Sequence, residues 1–307
     1  MMDFRQSEAF ATYLEASGWK TVRLAGGTFV YIFRLPILGN ILRIPRPKAP
    51  VAFSDIDRVA QEAGAVLVKI EPDAQIGDLQ LSQELKKNGY IFDQWTIEPT
   101  KTTIVNLKQS EDQLFWHLRP KWRQYIRLAK KHGVSVRESD RIDQFIDIWH
   151  ENARQKGYTI ERPQKTIAFW KEFKKRNAAK LFFASIDTMA VAGVLIVVWQ
   201  GSAHLWHMAY NGTHEKLHPV RLVVWESLLR AKAMGLWAYD FEGILDERLP
   251  YTQNVQPTLF KRGFGGFEKS YIGSFVKYQS PFRSLPFVLL GKIHPELIRI
   301  LYKKMYG

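Results

Sequence analysis

The longest apolar run in this chain, Val191-Ala-Gly-Val-Leu-Ile-Val-Val-Trp199, is short and rich in β-branched side chains. That length and branching describe a buried strand, because a bilayer-crossing helix needs roughly 18–20 apolar residues. Helix-like and strand-like segments alternate before and after it, which favours an α/β sheet.

The alternation runs twice. Asp3 to Gly18 reads as a helix, followed by strands Lys20–Leu24 and Phe29–Phe33. A helix over Ser54–Ala63 leads into the compact strand Ala65–Ile70, which ends at Glu71-Pro72. Ser82–Asn88 is helical, and Gly89 closes it as a left-handed cap requires. The composition turns basic near Glu98-Pro99-Thr100, and the pattern restarts with strand Thr102–Leu107. Ser110-Glu111-Asp112 opens a helix with early negative charge. Helix Pro120–His132, strand Val134–Arg137 and helices Ile142–Gln155 and Ile167–Arg176 follow. Strands Leu181–Ile186, Ala190–Trp199 and Ala203–Tyr210, helix Pro219–Met234 and strand Ala238–Phe241 complete the second round. Pro295–Tyr306 reads as a basic amphipathic helix. The two halves could be copies of one α/β unit.

Charge narrows the class of partner. The formal net charge is +14, and residues 1–98 are close to neutral, so the excess lies beyond them. One dense run is Arg119, Lys121, Arg123, Arg127, Lys130, Lys131 and Arg137. Such asymmetry suggests RNA, an acidic membrane surface or a phosphate-bearing substrate, or else a plainly solvated surface. With no cysteine, thiolate nucleophiles, disulfides and cysteine-based zinc sites are excluded. The opening Met1-Met2-Asp3-Phe4-Arg5 lacks a signal-peptide layout, so a cytoplasmic location is expected.

Several motifs bear on chemistry. In Phe260-Lys261-Arg262-Gly263-Phe264-Gly265-Gly266 a lysine precedes a glycine-rich turn, between segments that read as strands. Lys261 there is either a hairpin cation or a fixed charge able to stabilise an oxyanion. His204, His207, His214 and His218 invite a metal reading, but a separation of three on a strand sends His204 and His207 to opposite faces. No metal site is expected. Arg123, Arg127 and Lys130 share one face of a helix, suited to tracking phosphates or to simple solvation. Walker A and Rossmann fingerprints are absent. Glu71 and Asp240 stand at strand ends where a sheet opens to ligand, or else serve as caps or loop carboxylates.

Taken in order, these pieces resemble the Fem family of non-ribosomal peptidyltransferases. The resemblance begins at Arg5-Gln6-Ser7-Glu8-Ala9-Phe10 and continues through the basic helix from Arg119 to Gly133. Ala192-Gly193, Tyr239-Asp240-Phe241-Glu242-Gly243-Ile244, Phe260-Lys261 and Tyr271-Ile272-Gly273 complete it. The resemblance implies an α/β (α+β) fold of two tandem GNAT (acyl-CoA N-acyltransferase)-like domains with mixed, mainly antiparallel sheets. Residues 1–98 plus 272–307 would form the precursor-binding domain, and 99–271 the aminoacyl-tRNA side with the catalytic lysine. The implied activity moves an amino acid from aminoacyl-tRNA to the stem-peptide amine of a peptidoglycan precursor, with no cofactor.

By the same resemblance, Lys261 stabilises the tetrahedral oxyanion and Phe260 is its neighbour in the catalytic channel. Glu71 contacts the acceptor amine, Arg162 the precursor's diphosphate and Trp206 its nucleotide or sugar. Asp240, Arg123 and Arg127 join the substrate-binding set. The chain departs from the family pattern at Leu14, Thr166, Met208 and Ser274, where a lysine, a tyrosine, an aromatic and an acid are expected. These departures point away from a nucleotide-linked precursor towards a lipid-linked one, met at the membrane surface through the basic C-terminal helix. A GNAT-type N-acyltransferase and a non-catalytic RNA- or membrane-binding relative are the alternatives.

Overall fold

The computed structural model describes residues 2–35, 39–156, 161–249 and 255–280, together with 282, 285 and 287. The elements run α1 (Glu8–Ala16), β1 (Lys20–Arg23), β2 (Phe29–Leu35), β3 (Gly39–Pro45), α2 (Phe53–Glu62), β4 (Ala65–Glu71), α3 (Leu79–Lys87) and β5 (Ile91–Asp93). The second round is β6 (Lys101–Asn106), α4 (Glu111–His117), α5 (Pro120–Lys131), β7 (Ser135–Ser139), α6 (Ile142–Lys156), α7 (Pro163–Lys174), β8 (Ala179–Ile186), β9 (Met189–Trp199) and β10 (Ser202–Tyr210). It closes with α8 (Pro219–Ala233), β11 (Ala238–Asp240), α9 (Val255–Arg262), β12 (Phe267–Ser270) and β13 (Ser274–Tyr278).

The chain divides into two compact units. The first comprises Met1–Thr100, Asp246–Tyr251 and Ser270–Gly307, the second Lys101–Leu245 and Thr252–Lys269. The short segment Asp246–Tyr251, placed by the sequence reading in the second half, therefore groups with the first unit.

The sheet of the first unit has strand order β1-β2-β3-β4-β13-β5, and only the β3–β4 pair among its described ladders is parallel. Every residue of β4 is buried. Its side chains feed two apolar clusters, one holding Val68 and Ile70 with Ile56 and Leu85, the other Leu67 with Ile41 and Val276. A strand buried along its whole length reads as a continuous apolar run. Lys69 interrupts that run, and its ammonium is satisfied by Asp93 and the Trp95 carbonyl. Close by in sequence, Glu98 pairs with both Arg5 and Arg43, all three buried.

In the second unit the order is β12-β6-β11-β10-β9-β8-β7, with β10–β11 parallel and the β6–β11, β10–β9, β9–β8 and β8–β7 pairs antiparallel. The apolar run that opens the sequence reading is the core of β9, buried from Val191 to Val197. Gly193 belongs there for a steric reason: a Cβ would lie 3.0 Å from the Phe145 ring of α6 and 3.1 Å from Phe183. Helix α8 covers the sheet with Leu222, Val223, Trp225 and Leu228, which join Val194 and Ile196 in one cluster.

One expectation needs correcting. Phe260 and Lys261 do not sit at a strand end before a hairpin; they occupy the last turn of α9, and the strand begins only at Phe267. The stretch 242–259 lacks a clear apolar period, so the helix is not announced. The expected helix Pro295–Tyr306 lies outside the described residues. Among the described residues no helix is long and apolar enough to cross a membrane.

Candidate active site

The site is built where the turn after β11 meets the end of α9. Glu242 and Gly243 both have positive φ, 51° and 102°, so the chain bends sharply on leaving the sheet. Three hydrogen bonds pin the bend: Gly243 N–H to Thr102 Oγ1 at 3.3 Å, Ile244 N–H to the Lys101 carbonyl at 2.9 Å, and Leu245 N–H to Thr258 Oγ1 at 2.7 Å. Thr258 is in α9, one turn before Lys261, so the helix and the bend are fixed together.

Lys261 closes this arrangement. Its ammonium donates to the carbonyl oxygens of Glu242 at 3.3 Å and Gly243 at 2.6 Å. An ammonium has three donors, so one is left without an acceptor among the described residues. Burial pushes the Lys261 pKa down to about 8, against the pull of Glu242 and Asp240 in the other direction. The group thus stays largely charged at neutral pH.

Two carboxylates and an imidazole stand behind the lysine. Parallel pairing of β10 with β11 sets His204 opposite Asp240. Asp240 accepts from Thr102 Oγ1 and, at 2.8 Å, from the Glu242 N–H. Burial raises its pKa, and the Glu242 charge adds to the rise. His204 Nδ1 lies 2.8 Å from Glu242 Oε1. One ligand atom from each of His204, Asp240 and Glu242 falls within 4.8 Å of the others, a set with the donors for a divalent cation.

His207 goes elsewhere. A bulge separates Leu205 from His207, and the His207 ring packs at a tilt 4.5 Å from Trp149, with Nε2 3.6 Å from Glu161.

The remaining sequence-derived residues are spread over both units. Phe260 packs against Phe264 at 5.3 Å and Trp122 at 6.3 Å. Trp206 stacks nearly parallel on Phe169 at 4.9 Å. Arg162 is exposed and precedes Pro163 at the start of α7. Arg123 donates to the carbonyls of Trp116 at 2.7 Å and Leu118 at 2.9 Å, closing the C-terminal end of α4. Arg127 is exposed over the Phe115 ring, and Lys130 pairs with Glu226 at 2.8 Å. The expected phosphate-tracking face is therefore partly committed to the fold.

Glu71 belongs to the first unit. It is buried, and Oε1 accepts from the backbone N–H groups of Ile97 at 2.7 Å and Glu98 at 3.0 Å. Its pKa is raised by burial, with Lys69 opposing and Glu98 adding to the rise. The divergent positions are mostly inward: Leu14 is core, Thr166 donates to Glu161 at 3.2 Å, and Ser274 is fully buried.

Sequence reasoning missed His204 and Glu242 as partners of the lysine, because they meet through strand pairing across 38 positions. The motif Tyr239-Asp-Phe-Glu-Gly243 carried the only local signal.

Comparison with known proteins bears on the fold. Residues 117–251 match the acetyltransferase (GNAT) domain model. The crystal structure of FemX superposes with a TM-score of 0.79 over 95% of this chain and 94% of that chain, at 16% identity. The chain has the fold of FemX. Two further neighbours share it more loosely. One is the C-terminal domain (DUF2156) of a protein provisionally assigned as a lysylphosphatidylglycerol synthetase from Agrobacterium fabrum, with a TM-score of 0.63 at 12% identity, covering 94% of this chain and 92% of that one. The other is L-PGS from Bacillus licheniformis, with a TM-score of 0.61 at 13% identity over 91% and 90%. No curated protein matches at the level of sequence. The resemblance to the Fem proteins thus holds in the fold, with its GNAT-like α/β units and mixed sheets.

Proposed function

We propose that this chain is an aminoacyltransferase that moves an amino acid from aminoacyl-tRNA to the stem-peptide amine of a peptidoglycan precursor. The observation that carries this reading is the Lys261 ammonium, held by two carbonyls beside a bend in a FemX-like fold, with one donor to spare. In the reaction the acceptor amine attacks the ester carbonyl carbon of the donor. The carbonyl oxygen becomes an oxyanion, and Lys261 donates to it. Collapse breaks the bond to the ribose oxygen, which takes up the proton released by the amine. An ester is already activated, so positioning and charge stabilisation are the enzyme's main contributions.

Phe260 would wall the channel beside the lysine. Arg162, Trp206, Asp240, Arg123 and Arg127 would serve the substrates, and Glu71 would act on the acceptor amine within the precursor-binding unit. The buried Ser274 and the apolar Leu14 offer no charge for a nucleotide-linked precursor, which favours a lipid-linked one at the inner face of the membrane.

A second reading keeps the aminoacyl chemistry and changes the acceptor to a phospholipid headgroup. It is favoured by the fold shared with the lysylphosphatidylglycerol synthetase domain of Agrobacterium fabrum and with L-PGS of Bacillus licheniformis. One experiment separates them: charged tRNA is incubated with lipid-linked precursor or with phosphatidylglycerol vesicles. Transfer to the precursor that RNase abolishes, and that needs no acyl-CoA, is expected. Transfer to the vesicles alone would favour the second reading, and transfer dependent on acyl-CoA would replace both.

A further inference from the structure

Among the described residues, one cation outside the Lys261 cluster has no carboxylate partner. Arg221 is in the first turn of α8, with its guanidinium carbon 4.6 Å from the Trp122 ring centre, 4.8 Å from Tyr125 and 5.7 Å from Phe260. Among the described residues its one polar contact is from Nη1 to His218 Nδ1 at 3.4 Å, and its Nε is buried without an acceptor. Arg5 and Arg43 are answered by Glu98 and Arg248 by Asp246, whereas the buried Arg46 donates to the Pro99 carbonyl and lies 3.7 Å over the Tyr271 ring centre. Glu215, the carboxylate whose charge bears on Arg221, is exposed and forms no ion pair with it.

Arg221 is half-buried, and partly burying a cation without a counter-ion costs some solvation energy, of which ring faces return a part. His218 adds no second charge at pH 7, because burial and Arg221 itself push its pKa below the usual histidine value. The surroundings of Arg221 therefore carry one positive charge, a planar guanidinium whose Nε has no acceptor among the described residues, and three aromatic rings. The guanidinium fork fits a phosphate bidentately, and the rings offer faces on which a base can stack. Gly263 makes the wall possible, since a Cβ there would fall 2.3 Å from the Trp122 ring.

We propose that Arg221, walled by Trp122, Tyr125 and Phe260, is a binding site for a phosphate ester of a nucleotide-bearing substrate. The identity of that substrate rests on the reading above. Phe260 directly precedes Lys261 in α9, so the site adjoins the residue to which that reading gives the chemistry. The phosphate could come from the RNA donor or from a nucleotide-linked acceptor, and two probes distinguish them.

The test measures binding of an uncharged, fluorescent acceptor-stem RNA minihelix, and separately of UDP, to the full-length protein and to Arg221→Gln and Arg221→Lys. Loss of one phosphate contact should weaken the affected probe about 10-fold in Arg221→Gln. For the minihelix it should also reduce the slope of log affinity against log salt by about 1. Arg221→Lys keeps the charge without the fork and should recover part of the loss; it decides the matter if the glutamine variant fails to fold. A loss confined to the minihelix assigns the phosphate to the donor, and one confined to UDP assigns it to the acceptor. Unchanged affinity for both probes in a folded variant overturns the proposal. Binding needs no turnover, so an Arg221-dependent site in a protein that never transfers would sink the functional reading and leave this one standing.

Discussion

The Lys261 ammonium donates to the Gly243 carbonyl oxygen at 2.6 Å, which ties the last turn of α9 to the bend that follows β11. The two residues are 18 positions apart in the chain, yet the contact fixes both the direction of the lysine and the shape of the bend. Removing the ammonium therefore has two separable consequences, one for chemistry and one for local order.

Lys261→Met keeps the length and apolar stem of the side chain while deleting the charge. Transfer should fall about 10²–10³-fold, the usual loss for one oxyanion donor. Circular dichroism and thermal unfolding should show a folded protein, because the bend is still held by Thr102, Lys101 and Thr258.

The pH profile should carry the signature of the same group. With its pKa lowered to about 8 by burial, Lys261 loses its proton as pH rises through that value. Oxyanion stabilisation is present below pH 8 and lost above it, so kcat should fall on an alkaline limb near 8. Glu242→Gln removes charge that favours the ammonium and should move the limb to lower pH. A limb unmoved by that change would detach Glu242 from the lysine.

Glu71 makes a structural prediction beside its functional one. Glu71→Ala leaves the N–H groups of Ile97 and Glu98 without their acceptor and should cost about 1–3 kcal/mol in denaturant unfolding. Glu71→Gln retains an oxygen for both donors and should cost less. If Glu71 handles the acceptor amine, the glutamine variant loses activity while keeping its stability.

Gly266 should tolerate no side chain. Its φ is +95°, and a Cβ would lie 2.4 Å from the Ile104 carbonyl oxygen of β6. Gly266→Ala should destabilise the protein by at least about 1–2 kcal/mol, from the left-handed backbone alone, with a lowered unfolding midpoint as the readout.

Much of the fold is legible in the sequence because its main elements carry local signals. The β9 run is apolar throughout, Gly89 and Gly133 end helices in the left-handed conformation, and Ser110 caps α4 with Gln113 in a reciprocal box. Short or partly polar strands gave no such signal. β5 has two exposed residues of three, and β13 finds its place between β4 and β5, both far from it in the chain. Of the candidate site, Lys261 and Asp240 stand in recognisable local motifs. His204, Glu242 and Arg221 do not, since their roles depend on β10–β11 register and on the aromatic wall around α8. The turn signal of the glycines after Lys261 was real, but it follows a helix instead of joining two strands.

The most direct measurement of the central claim is single-turnover transfer from charged tRNA to lipid-linked precursor, with wild-type protein and Lys261→Met compared at pH 7. Wild-type protein should form the aminoacylated product, and the variant should form it about 10²–10³ times more slowly with tRNA binding intact. Equal rates for the two proteins, or no product from either, would contradict the account.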